Sequence, residues 1–327
     1  MSRRIAITGA NGFVGRALCA QAQAQGWRVR AITRRPVDGL AANEYCVLPD
    51  YVQASPEALW RALDGQDVLV HLAAVVAHQP STPPTPPGAM HANRRMTEAL
   101  WEAACRCGVG RFVHISSCGV HGRQTPPGEP FNEGSAIRLH DAYTRSKWEA
   151  EQVLVQQLQS AAPGVVVVRP PLVYGARAPG SFGSMLRWAR RGWPLPFGAA
   201  LQPRDLIAVD NLVSALLACA EHPAAPGQVF LVSDGTPLSV AEMLTLLAHA
   251  MGREPRLLAL APETMRRVGA MLGLSMEIER LFAPMQVDSR HIRRTLAWTP
   301  PLEASLAMQA AGRDYLAWCA AGRERHP

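Results

Sequence analysis

Tyr143 and Lys147 stand four residues apart, the spacing that puts two side chains on one face of a helix. A phenol titrates near ~10 in water, so only about one in a thousand is ionised at neutral pH. A neighbouring ammonium favours the phenolate, as would a positively charged ring above it, and each tenfold gain in acidity corresponds to about 1.4 kcal/mol. The expectation is that Lys147 draws the phenol of Tyr143 towards the range of a general acid/base. Taken alone, such a pair is more often a surface contact on a helix. A third group comes from Arg111-Phe-Val-His-Ile-Ser-Ser-Cys-Gly-Val-His-Gly122. Ser117 falls just past the carboxyl end of the apolar run, where its hydroxyl could donate to a substrate oxygen and relay a proton to Tyr143. The alternative is a serine bonded to a turn backbone.

These side chains need elements to position them, and the chain opens with one. Gly9-Ala10-Asn11-Gly12-Phe13-Val14-Gly15 lies directly behind the apolar run Ile5-Ala6-Ile7. Glycine at 9 permits a tight turn, glycine at 12 lets backbone approach a pyrophosphate, and Gly15 lets a helix lie close on a sheet. Glycine turns after strands are common, and the spacing is G-x-x-G-x-x-G, so the motif alone is only suggestive. Paired with Tyr143 and Lys147 in this order, it becomes far more specific.

Runs rich in Val, Ile or Leu predict strands near 4–8, 28–32, 45–48, 67–72, 111–116 and 165–169. Helices are expected near 12–25, 56–63, 91–107 and 141–159. Ser55-Pro56-Glu57 reads as a helix start, with an N-cap, a proline at the first position and an acid in the first turn. This alternation predicts an α/β fold with a doubly wound parallel (Rossmann) sheet, its ligand site outside the carboxyl ends of the strands. The second half is less regular. Helices are expected near 183–191 and 210–221 and a strand near 228–232. Ser239-Val-Ala-Glu242 has capping-box spacing and opens a helix that Gly252 ends. Gln79-Pro-Ser-Thr-Pro-Pro-Thr-Pro-Pro87 is expected to be a stiff surface loop beside the ligand site. The division expected is a dinucleotide-binding domain over 1–170, to which 204–232 returns, and a substrate-binding α/β region from 171–203 and 233–327.

With 327 residues, 48% of them hydrophobic and 18% charged, the chain has ample material for a dry core. No apolar run approaches bilayer length, and a strand follows Met1-Ser2-Arg3-Arg4 at once, so a cytoplasmic protein without membrane insertion is expected. The net charge of +7 comes from scattered arginines without an aromatic-interleaved basic stretch, which argues against nucleic acid and suits diphosphate-bearing ligands. The seven cysteines form no CxxC pair and have no histidine at ligand spacing, so free thiols and no metal site are expected.

With these residues in view, the chain resembles the extended short-chain dehydrogenase/reductase family, in particular its NAD(P)-dependent nucleotide-sugar epimerases, dehydratases and reductases. The likeness runs through the glycine motif, Asp67-Val-Leu-Val-His-Leu-Ala-Ala74, Asn93, Ser116-Ser117 and the Tyr143/Lys147 pair. It continues through Arg169-Pro-Pro-Leu-Val-Tyr-Gly175, Arg204-Asp-Leu-Ile-Ala-Val-Asp210 and Leu296-Ala-Trp-Thr-Pro300. The resemblance implies a catalytic triad of Ser117, Tyr143 and Lys147. It implies a cofactor lying along Gly9, Asn11, Gly12, Phe13, Val14, Gly15, Leu72, Ala73, Ala74 and Pro170, with Tyr143 and Lys147 beside it and Asn93 supporting the site. It also implies a nucleotide-sugar substrate against Ser117, Cys118 and Arg204, with Arg204 gripping the diphosphate. A homodimer is a family expectation. The substrate pocket is expected to draw on 75–90, 118–123 and 172–200.

Departures from the family pattern narrow the chemistry. Dehydratases carry Asp-Glu after the catalytic hydroxyl residue; here Cys118 and Gly119 stand there, which argues against elimination of water. His121 replaces the usual tyrosine, and Arg95-Met96 replaces a common Asn-Gly. NAD-selective sites place an acid at the end of the second strand. This chain has Thr33-Arg34-Arg35, and its first acid, Asp38, lies beyond Pro36. Arg34 and Arg35 suit a 2′-phosphate, so NADP is favoured, with NAD the alternative. The leading expectation is NADPH-dependent reduction of a 4-keto-6-deoxy sugar nucleotide. The alternatives are a UDP-hexose 4-epimerase with retained NAD, and a non-catalytic NADP-binding regulatory protein.

Overall fold

The structure, a computed structural model, describes residues 3–75, 91–159, 162–271 and 283–322. The proline-rich segment 79–87 lies outside the described residues. Seven strands form one parallel sheet: β1 Arg4–Thr8, β2 Arg28–Thr33, β3 Glu44–Val47, β4 Val68–His71, β5 Arg111–Ile115, β6 Gly164–Arg169 and β9 Gln228–Leu231. Their order is β3-β2-β1-β4-β5-β6-β9. From β1 the chain first builds outwards to β2 and β3, then crosses to β4 and builds the other way. The carboxyl ends of β1 and β4 therefore flank the switch point at which a doubly wound sheet leaves a crevice.

Both faces of the sheet are covered, which is why the central strands read as unbroken apolar runs. On one face α1 (Phe13–Ala24) and α6 (Val209–Glu221) pack over Ile5, Ile7, Val29, Val70 and Val166. On the other, α2 (Pro56–Leu63), α3 (His91–Arg106) and α4 (Ala142–Val155) cover Ala6, Ile32, Leu69, Phe112 and Val167. The helix starts form as their residues dictate. Ser55 Oγ accepts from the Ala58 amide at 3.3 Å, with Pro56 in the first turn. Ser239 and Glu242 close a reciprocal capping box on α7 (Val240–Ala250), and Gly252 follows it with φ +66°.

Three features were not read from the sequence. The short parallel pair β7 (Leu172–Tyr174) and β8 (Leu206–Ala208) lies between the large sheet and a second core. That core packs α5 (Gly180–Arg191), α7 and the last helix, α10 (Ala304–Ala320), around Tyr174, Phe182 and Leu247. Two further helices, α8 (Pro262–Met271) and α9 (Arg290–Leu296), precede α10. Helix α4 is also shorter than expected: regular helix stops at Val155, and 156–159 continue as turns.

Candidate active site

Gly9 adopts φ +67°, and a Cβ there would lie 2.9 Å from the backbone nitrogen of Ala73. A Cβ on Gly15 would collide with the Gly9 carbonyl and with the backbone of Ala10. The two glycines therefore let three pieces of backbone come together: the turn, the first turn of α1 and the segment behind β4. Thr8 fastens the same junction, its Oγ1 accepting from the Ala73 amide at 3.2 Å and meeting His71 Nδ1 at 2.8 Å. No side chain caps the N-terminus of α1, and its first turn carries no acid, so its amides suit an anion. Asn93 on α3 holds the far side of the junction. Its amide exchanges bonds with the backbone of Val75 at 2.6 and 3.0 Å and donates to Ser146 Oγ on α4 at 3.1 Å.

The α4 face beside this junction presents Tyr143 and Lys147. A capping box of Asp141 and Thr144 fixes the helix start, so both side chains leave a rigid first turn. Lys147 is buried, and its Nζ donates to the Ile115 carbonyl at 2.9 Å, tying α4 to the end of β5. Ser117 follows two residues later and caps the short 3-10 turn Cys118–His121. Its Oγ accepts from the Gly119 amide at 3.1 Å, which leaves its proton free to point elsewhere. Ser117 also lies near enough to the Tyr143 phenol to lower its pKa.

The electrostatics correct one expectation. Burial pushes the Tyr143 phenol up to about 12, and Cys118 and Asp141 push the same way; only the Ser117 hydrogen bond opposes them. Lys147 is not among the groups that move it. The lysine itself responds to burial, its pKa falling from the ordinary 10.5 to about 8 despite the opposing pull of Glu151. In the protein's own field the phenol is therefore a held proton donor, and lysine is the group poised near neutrality.

The buried lysine makes stability depend on pH. Between about pH 8 and 10.5 the unfolded chain carries a proton at residue 147 that the folded chain has lost. Stability attributable to this group thus rises with pH across that window, and the cost of burying the ammonium is fully present below it. Lys147→Met removes that cost, so its melting temperature relative to wild type is expected to be more favourable at pH 7 than at pH 10. Paired thermal scans at the two pH values check this; a difference independent of pH would mean the ammonium is solvated in place.

All these groups face one cleft of about 850 Å³ at the switch point. Gly9, Asn11, Gly12, Phe13, Val14, Arg34, Leu72, Ala73, Ala74 and Pro170 line it, together with Ser117, Cys118, Tyr143, Lys147 and Arg204. Gly15 and Asn93 act one layer behind. Arg35 does not reach the cleft: it is exposed, and its carbonyl accepts from Thr33 Oγ1 at 2.8 Å. Of the two, Arg34, in the bend that follows β2, is the one that lines the cleft. At the substrate end, the expected segment 172–200 contributes only Leu172 and Val173, because 175–200 turns away into the second core. Met285 and Asp205 line that end instead. Met285 arrives because its backbone pairs with Arg204, just ahead of β8, with its amide on the Pro203 carbonyl and the Asp205 amide on its own carbonyl. Asp205, buried, is pushed up to about 6. Arg204 donates to the Ala283 carbonyl, and burial lowers its pKa. Cys118 is buried beside Arg204 and Asp205, its thiol pushed up to about 12.

His121 belongs to the scaffold of this end. Its Nδ1 meets the Ser135 carbonyl at 2.9 Å and its Nε2 accepts from Arg169 at 3.0 Å, which requires a neutral ring protonated at Nδ1. Arg169 in turn forms a buried two-point ion pair with Glu151, one turn along α4 from Lys147.

A cleft built on a glycine turn at the β1/β4 switch point, with Ser, Tyr and Lys converging in it, defines a nicotinamide-dependent oxidoreductase. The chain belongs to the NAD-dependent epimerase/dehydratase family, whose model matches residues 5–233. It is 35% identical over 308 residues to a UDP-glucose 4-epimerase of Vibrio cholerae, covering 92% of each chain. It is 29% identical over 272 residues to a ceramide reductase of Caulobacter vibrioides, covering 82% of this chain and 77% of that one. Among solved structures, UDP-N-acetylglucosamine 4-epimerase from Bacillus cereus superposes with a TM-score of 0.78 at 20% identity, over 96% of this chain and 99% of that one. No helix among the described residues is long and apolar enough to cross a membrane.

Proposed function

We propose that the chain is an NADPH-dependent reductase acting on C4 of a nucleotide-linked hexose, with a 4-keto-6-deoxy sugar as substrate. The observation that carries this reading is the convergence of Ser117, Tyr143 and Lys147 in the cleft into which the glycine turn opens. The α1 amides and the backbone of 72–75 would hold the cofactor's pyrophosphate and nicotinamide half. When bound, that group supplies or accepts hydride at the substrate carbon. Ser117, with Oγ already accepting from Gly119, turns its proton to the carbonyl oxygen and fixes it. Tyr143 delivers its proton to that oxygen as the alcohol forms. Lys147 anchors the site through Ile115 and, as a donor, would hold the cofactor's ribose. Arg204 provides the planar cation for a substrate diphosphate. Cys118 and Gly119 offer no acid or base for elimination, since a thiol at about 12 keeps its proton.

A second reading is favoured by the Vibrio cholerae relative. The same residues serve a 4-epimerase, in which Tyr143 first takes the C4 hydroxyl proton and later returns it. Both readings are tested by incubating nucleotide 4-keto sugars and UDP-hexoses with NADPH, NADH or no cofactor, and following nicotinamide absorbance and products. Stoichiometric NADPH consumption with a 4-keto substrate is the expected result. Interconversion of C4 epimers without added cofactor would replace the first reading by the second.

A further inference from the structure

We propose that Arg95, on α3, is the second cation of a 2′-phosphate site, acting with Arg34, and that Arg35 plays no part in it. This rests on the reading of the cofactor as NADPH. Arg95 occupies one of the two positions where the sequence departs from the family's Asn-Gly, and nothing in the reaction above uses it. It lines the same cleft as Arg34 and the segment behind β3, Pro49–Gln53. Arg34 lies close enough to Tyr51 for its charge to act on that phenol. Tyr51 and Met96 line that cleft too, so the segment behind β3 and the first turns of α3 both border it. Both arginines thus border the cleft, Arg34 at its β2 end.

Neither guanidinium is already neutralised. The neighbouring Arg94 donates to Glu98 at 2.8 Å, whereas no hydrogen bond or ion pair is made by the Arg95 or Arg34 side chain among the described residues. Asp50 is the acid that lines this end, and its Oδ1 is held by the amides of Val52 and Gln53 at 2.7 and 3.2 Å. Asp38, the first acid after β2 along the chain, does not line the cleft. A site for an unmodified ribose would place a free carboxylate at the end of β2. Two unpaired guanidinium forks instead suit a phosphate monoester, whose charge is close to −2 and whose oxygens accept bidentate bonds.

The test is calorimetric binding of 2′-phospho-ADP-ribose and of ADP-ribose to wild type, Arg34→Ala, Arg35→Ala and Arg95→Ala, with no turnover involved. Arg95 is exposed, so its substitution is expected to leave the melting temperature unchanged. Wild type is expected to prefer the phosphorylated ligand, and Arg95→Ala and Arg34→Ala each to weaken it by about tenfold or more while barely changing ADP-ribose. Arg35→Ala is expected to change neither. If wild type prefers the phosphorylated ligand but Arg95→Ala weakens both ligands equally or neither, the role of Arg95 is wrong and the NADPH reading stands. A preference of wild type for ADP-ribose would overturn both.

Discussion

Tyr143→Phe is expected to lower turnover by about 10²–10⁴-fold while leaving cofactor affinity within about twofold. The loss follows from what the hydroxyl alone does. The ring is held by a helix whose start is fixed by Asp141 and Thr144, and neither bond involves the phenol. Removing one oxygen therefore leaves α4, the Lys147–Ile115 bond and the cleft wall in place. It deletes the group that can hand a proton to a substrate oxygen held by Ser117. A phenol pushed up to about 12 stays protonated at neutral pH, the form needed for reduction of a ketone. The oxidising direction needs the phenolate instead, and only an added positive charge near the ring would draw the pKa down. Ser117→Ala is expected to lose less, because it removes an oxygen-holding donor while the proton source remains. Steady-state kinetics with matched thermal melts check this. Activity of Tyr143→Phe within about threefold of wild type would remove the phenol from the chemistry and favour the non-catalytic reading.

Much of this arrangement was legible in the residues. Short apolar runs buried on both faces mark the central parallel strands, and each such run became one. The glycine turn and the Tyr143/Lys147 pair are local, fixed by spacing within one or two turns of chain, and local geometry survives translation into three dimensions. What escaped is set by tertiary contact. Met285 enters the cleft because its backbone pairs with Arg204 from about eighty residues away, and no periodicity announces that. Leu172-Val173-Tyr174 forms a strand of three residues behind two prolines, too short for alternation to register. Tyr51 and Asp50 reach the site from the loop that leaves β3, the strand at the sheet edge, and nothing local in the sequence marks that. The phenol's pKa departs from what spacing implies for a related reason. Spacing shows that a lysine is near, but the dominant influence is burial, which depends on everything packed around the ring. Arg34 and Arg35 are equivalent in composition, yet past the end of β2 only Arg34 lines the cleft.

Glu151→Ala is expected to destabilise the fold by about 3–5 kcal/mol, the largest stability effect anticipated outside the hydrophobic cores. Glu151 is fully buried and Arg169 nearly so, and the guanidinium meets the carboxylate at two points. Removing the acid leaves a charge in the interior with His121 Nε2 as its remaining polar partner, and a neutral imidazole cannot replace an anion. The damage has a route to the active site. Arg169 ends β6 and precedes Pro170, whose carbonyl accepts from the Cys118 amide at 3.0 Å and so holds the turn that carries Ser117. Glu151 also supports the protonated form of Lys147, so its loss lowers that pKa further and leaves less ammonium at neutral pH. Replacing both partners separates the two contributions. Glu151→Leu with Arg169→Met exchanges the pair for apolar volume and is expected to recover most of the stability. It would not restore His121, which then lacks its donor, so turnover should remain depressed in the double variant. Urea unfolding followed by tryptophan fluorescence, with kinetics on the same preparations, gives both readings. A loss below about 1 kcal/mol for Glu151→Ala would put the pair with solvent-screened ion pairs and contradict the burial that makes it matter.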